Sequence, residues 1–177
     1  MEIVLDYMPA DLWPCPAGWT VVGRVGHQAL AYDPERQPFL LGDGGPEPLD
    51  PAEVNAALVD AVAAAAMKVW PGGWTNALPL AFGLNRRTTQ PDKIAKKGLN
   101  PVVLRSLAFA ANEYDAPGMG ALLSALALYA DRYAEGGDNP FETLGNTKRA
   151  VANAFDLLLD VRKGKTFKRN ADEGSDS

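Results

Sequence analysis

Beyond residue 49 the chain four times sets a polar side chain directly before a proline, as Asp50-Pro51, Gln90-Pro91, Asn100-Pro101 and Asn139-Pro140. Proline suits the first position of a helix, because its missing N–H would have no partner there and its φ is already helical. An Asp or Asn just ahead of it can accept a bond from a free first-turn N–H. In "DPAE" (50–53) Glu53 adds a carboxylate at the positive helix end. An apolar stripe at helical spacing follows, Val54, Leu58, Ala61, Val62, Ala65 and Val69, until "WPGG" (70–73) ends it. Read onward in this way, the spacing predicts helices over 51–69, 91–97, 101–114, 118–135 and 147–163. Their expected inward stripes are Val103, Leu107, Ala111 and Tyr114, then Leu122, Leu126, Tyr129 and Tyr133, then Val151, Phe155 and Leu158. "APGMG" (116–120) and "EGGDNP" (135–140) read as connections, and 73–85, without a clear period, as irregular buried chain.

The first forty residues carry a different pattern. "EIVLDY" (2–7), "WTVVGRV" (19–25), "QALAYD" (28–33) and "PFLLGD" (38–43) are short and β-rich, and "DPER" (33–36) is a turn sequence with Pro34 at its second position. They predict a small antiparallel meander, and "GDGGPEPLD" (42–50) reads as a linker. The fold class expected is therefore α+β: an N-terminal antiparallel meander of three or four strands, then a bundle of four or five helices. The expected organisation is a β subdomain over 1–49, a helical domain over 50–169 and a disordered acidic tail over 170–177.

Composition narrows the function classes. A single cysteine excludes an intrachain disulfide, and residues 1–30 show no basic segment followed by an apolar one, so the expected location is the cytoplasm. No run approaches the ~20 apolar residues of a membrane span, and no membrane partner is expected. One Cys and one His are too few for the usual zinc ligand sets. Cys15 and His27 are the one nucleophile–base pair the chain offers, yet Cys15 sits in the stiff "WPCP" and His27 at a hairpin turn. "GKT" (164–166) lacks the glycine of a phosphate loop, since Leu159 stands in its place, and "DGG" (43–45) lacks a dinucleotide-binding context. No cofactor is expected. A hydrolase or transferase built on Cys15 or a carboxylate ranks last among three readings, for want of a complete constellation. Trp13, Trp19, Trp70 and Trp74 are expected to pin the sheet against a helix rather than to form a recognition surface.

Charge is the remaining signal, and it comes in blocks. The chain carries a net −5, yet residues 1–60 hold −8 and residues 61–105 hold +6. Residues 106–145 hold −5, residues 146–169 hold +5 and the last eight hold −3. Within "NRRTTQPDKIAKKG" (85–98), Arg86, Arg87, Lys93, Lys96 and Lys97 stand against one acid, Asp92. Thr88, Thr89 and the N–H groups of the helix starting at Pro91 add neutral donors. A second basic cluster is Arg162, Lys163, Lys165, Lys168 and Arg169. "DKIAKKGLNPVVLRSL" imitates a helix-turn-helix, but Pro101, Val102, Val103 and Leu104 occupy the turn that would have to read bases. The expectation is a non-enzymatic interaction protein, an assembly component or a regulator of a larger complex, that docks an anionic macromolecule. An acidic protein surface is preferred over a nucleic-acid backbone held through clusters 86–97 and 162–169.

Overall fold

The computed structural model describes residues 1–9, 15–133 and 139–162, without the side chains of 140, 160 and 162. Four strands, β1 (Thr20–Val25), β2 (Gln28–Tyr32), β3 (Pro38–Gly42) and β4 (Gly45–Pro48), form an antiparallel sheet in sequence order. Helices α1 (Pro51–Val69), α2 (Trp74–Ala81), α3 (Pro91–Lys97), α4 (Pro101–Asn112), α5 (Ala116–Arg132) and α6 (Pro140–Arg162) follow, with a 3-10 turn at Arg86–Thr89. The α+β class is as expected. The chain divides into two compact units, Met1–Leu128 and Tyr129–Ser177.

The proline starts act through their caps. Asp50 accepts from the Ala52 N–H at 3.0 Å, Asn100 from that of Val102 at 2.9 Å and Asn139 from that of Phe141 at 3.1 Å. Gln90, one methylene longer, makes no side-chain cap. Because the Asn139 cap is effective, α6 begins at Pro140 and not at 147, and Gly145 is carried within it. α5 likewise begins at Ala116, inside the expected connection, because Asp115 accepts from the Gly118 N–H at 3.0 Å. "GDGGPEP" is not a linker: Asp43 and Gly44 turn the chain, Gly45 takes φ 95°, and β4 pairs with β3. The segment 73–85 holds α2, whose internal Pro79 and eight-residue length erased its period. "EIVLDY" is not a strand. It makes a single bridge, in which Val4 and Arg24 exchange bonds of 3.0 and 2.9 Å.

In the first unit one core joins sheet and helices. Ile3, Leu5, Val22 and Leu30 meet Val54, Leu58 and Val62 of α1, Ile94 of α3, and Leu104 and Leu107 of α4. Val21, Ala29, Ala31 and Leu41 form a smaller cluster with Trp19, Met8 and Cys15. The bridge at Val4 requires Gly23, since a Cβ there would lie 2.2 Å from the Val4 carbonyl oxygen.

The expected inward faces of α4, α5 and α6 need correction. On α4, Leu104, Leu107, Ala108 and Ala111 are buried, whereas Val103 is half-buried and Tyr114 lies beyond the helix end, exposed. On α5, Leu122 and Leu126 are exposed, and the buried residues are Ala116 and Gly120, with Met119 and Leu123 partly buried beside them. The reason is Trp70. Its indole N–H donates to the Gly120 carbonyl at 2.9 Å and to the Ser124 hydroxyl at 3.0 Å, a closeness that only the small-residue face permits. Trp70 thus pins helix to helix, not sheet to helix. Trp74 packs on the main core, Trp19 meets Phe39 at a tilt with ring centroids 4.4 Å apart, and Trp13 lies outside the described residues. On α6, in the second unit, Phe155 and Leu158 are 60% and 53% exposed. A stripe shows which residues share a face, not that anything covers it.

Candidate functional site

The basic stretch folds as the 3-10 turn followed by α3. Asn85 caps the turn, accepting from the Arg87 N–H at 2.9 Å, and Thr88 donates its hydroxyl proton to the Asn85 carbonyl at 2.6 Å. Two residues fasten the stretch to the body: Thr89, 4% exposed, and Ile94, 1% exposed and seated in the main core, where α3 packs on α1. What remains outside is Arg86, Arg87, Thr88, Lys93, Lys96 and Lys97, all exposed. Lys93, Lys96 and Lys97 are spaced i, i+3, i+4 and so share one face of α3.

One acid answers these cations. Lys93 pairs with Asp92 at 3.0 Å, and its hydrogen bond is the chief reason the Asp92 carboxyl titrates below the usual range. Among the described residues Arg86, Arg87, Lys96 and Lys97 make no ion pair. Among the described residues no acid of the N-terminal region pairs with them, and the region's own pair, Arg24 with Asp6 at 3.2 Å, is internal to it.

Two expected donors are not available. Thr89 is buried and donates to the Arg86 carbonyl at 3.0 Å. The first turn of α3 offers little, because Pro91 has no N–H and those of Lys93 and Ile94 both donate to the Gln90 carbonyl, at 2.9 and 3.0 Å. Of the second basic cluster, Lys163, Lys165, Lys168 and Arg169 lie outside the described residues, as does the tail 170–177, and only the backbone of Arg162 is described. At the start of α4, Pro101 and Leu104 are buried, so that turn is committed to packing; Val102, expected there too, is exposed.

Beside the basic stretch the structure forms a cavity of about 460 Å³ that sequence reading missed. Its polar lining is Tyr32 of β2, Arg36 of the β2–β3 turn, Asn55 of α1, Thr88, Lys97 and Asn100, with no carboxylate among the lining residues. Arg36 holds φ 68°, a left-handed conformation costly for a residue with a Cβ. The one signal in the sequence was its place, closing the "DPER" turn where Asp33 accepts from the Arg36 and Gln37 N–H groups. Gly98 ends α3 at φ 66°, and a Cβ there would lie 2.4 Å from the Asn55 side-chain oxygen. Burial pushes the Tyr32 phenol far above its ordinary pKa, and its buried hydroxyl has no hydrogen-bond partner among the described residues.

Elsewhere, half-buried Cys15 packs on the smaller cluster, where burial raises its thiol pKa against the opposing pull of Arg105. That is the wrong direction for a nucleophile. His27 is exposed in the β1–β2 turn. Among the described residues no three acids, histidines or cysteines group as metal ligands, and no helix is long and apolar enough to cross a membrane. No family model matches the chain, and neither does any curated protein or solved structure.

Proposed function

We propose that this chain is a non-enzymatic interaction protein that docks an acidic protein surface across Arg86, Arg87, Lys93, Lys96 and Lys97. The observation that carries the reading is the set of four exposed cations without an ion pair on a segment anchored by Thr89 and Ile94. A partner that supplies the carboxylates meets charges whose backbone is already held in place, so little ordering entropy is lost on binding. Exposed cations add little to stability, but opposed to a surface of the other sign they steer encounter and fix register. A protein partner is favoured over a nucleic acid for two reasons. The chain outside residues 61–105 is acidic on balance, the +5 of residues 146–169 notwithstanding, so a long polyanion meets net repulsion beyond the block. The α4 start, which the sequence likens to that of a recognition helix, is also committed to packing through Pro101 and Leu104.

The test is a pull-down from the native cell, run side by side with the parent and an Arg86→Gln, Arg87→Gln, Lys96→Gln variant. The expected result is a stoichiometric acidic protein, depleted with the variant, while both proteins melt alike. Equal recovery by parent and variant refutes the docking role. Recovery of nucleic acid in place of protein, again lost with the variant, replaces the partner class.

A further inference from the structure

The cavity beside the basic stretch has a chemistry of its own. Its charged lining residues are Arg36 and Lys97, and no acidic residue in the lining balances them. Asn55, Asn100 and Thr88 supply amides and a hydroxyl, while Tyr32 lines the cavity with its own hydroxyl buried out of reach. The Asn100 oxygen is already occupied by the Val102 N–H, which leaves the amide's NH₂ end as its donor, and Asn55 makes no side-chain hydrogen bond among the described residues. Leu84, Leu99, Pro38 and Pro51 complete the lining with apolar surface. A space of about 460 Å³ falls in the range of small-molecule sites.

One feature is costly unless something uses it. An arginine at φ 68° occupies a turn position that Gly or Asn fills with less strain. Backbone strain of this kind gathers where a ligand is met.

We propose that this cavity binds a small organic anion, an oxyanion head group on a compact apolar body. The head group lies between Arg36 and Lys97, where the guanidinium fork can hold two of its oxygens. The body rests on Leu84, Leu99 and the two prolines. Carboxylate and phosphate share this chemistry, and the choice between them is open to direct measurement.

The experiment is an NMR titration of the isotope-labelled full chain with benzoate, phenyl phosphate and, as the neutral counterpart, benzyl alcohol. One of the two anions is expected to give saturable shifts of the Gln37, Gly98 and Asn100 amides and to bind at least about tenfold more tightly than the alcohol. Whichever anion saturates first identifies the head group. Arg36→Asn, which keeps a residue that tolerates the left-handed turn, and Lys97→Gln should each weaken that anion about tenfold. The Arg86→Gln, Arg87→Gln, Lys96→Gln variant should bind it as the parent does, which separates this site from the docking surface. Absence of saturation below about 10 mM for both anions, equal binding of the alcohol, or unchanged affinity in the Arg36 and Lys97 variants overturns the proposal. So does equal weakening in the triple variant, which would mean attraction to positive charge in general.

Discussion

Gly120→Ala is the most exacting test of the packing described here. Helix propensity alone favours the change, by ~1 kcal/mol. The contact between α1 and α5 forbids it. A Cβ at 120 would lie 2.1 Å from the Val69 carbonyl oxygen, 2.8 Å from Val69 Cγ1 and 3.0 Å from Trp70 Nε1. The nearest of these is backbone and cannot rotate away, so α5 must retreat by roughly 1 Å to reach van der Waals separation. Overpacking of this kind costs ~1–3 kcal/mol. The retreat also stretches the 2.9 Å bond from Trp70 to the Gly120 carbonyl, and a buried donor left without its acceptor costs ~1–3 kcal/mol more. Less the propensity gain of ~1 kcal/mol, the net expectation is a loss of about 1–5 kcal/mol. Urea unfolding followed by tryptophan fluorescence and by circular dichroism reads this as a lower midpoint with an unchanged slope. Ser124→Ala, which removes only the second acceptor of the same indole, should cost less. A Gly120→Ala protein as stable as the parent, or more so, would show that α5 does not approach α1 through this residue.

Leu58→Ala, at a fully buried position, should cost ~2–5 kcal/mol, while Leu126→Ala, at 36% exposure, should cost under about 1 kcal/mol. Equal losses in thermal unfolding would show that the inward face of α5 is misassigned. Asn100→Ala removes the cap on the Val102 N–H and should cost ~1 kcal/mol, whereas Gln90→Ala, which removes no cap, should be nearly neutral. Tyr32 makes a signed prediction in alkali. Its folded pKa is raised, so the fold holds the neutral phenol; that stability is intact below the unfolded value of ~10 and declines as pH climbs above it. Parent stability should therefore fall more steeply than that of Tyr32→Phe above pH ~10, and parallel curves would contradict the burial of the phenol.

What was legible in the sequence was local. Asp50-Pro51 and Asn100-Pro101 each name a helix start with their own side chain, and Asn139-Pro140 carries the same signal although the expected helix began only at 147. The meander was readable for the same reason, since alternation and the Asp33-Pro34 turn act over a few residues. The 3-10 turn and α2 were not, because Pro79 and short length leave no period to see. β4 was hidden by its composition: "GPEP" has neither β-branched nor aromatic residues and pairs because the Gly42–Gly45 turn returns it to β3. The inward face of α5 was misjudged because large residues were assumed to point in, where Trp70 selects the smallest. The basic stretch was visible as charge, but the absence of an ion pair at Arg86, Arg87, Lys96 and Lys97 among the described residues was not, because pairing depends on which surfaces meet. The cavity was beyond reach altogether, since Tyr32, Arg36, Asn55 and Lys97 come together only through the packing of α1 and α3 on the sheet side of the core.

The docking role stands or falls on the salt dependence of binding to the partner recovered from the cell. Affinity is to be measured for the parent and for the Arg86→Gln, Arg87→Gln, Lys96→Gln variant from about 50 to 500 mM salt, a range over which screening shortens from beyond 10 Å to a few ångströms. The parent should bind more weakly as salt rises, and the variant should bind more weakly at low salt along a flatter line, the two converging as salt increases. Coincident lines at every salt concentration would reduce Arg86, Arg87 and Lys96 to solvated surface and contradict the reading.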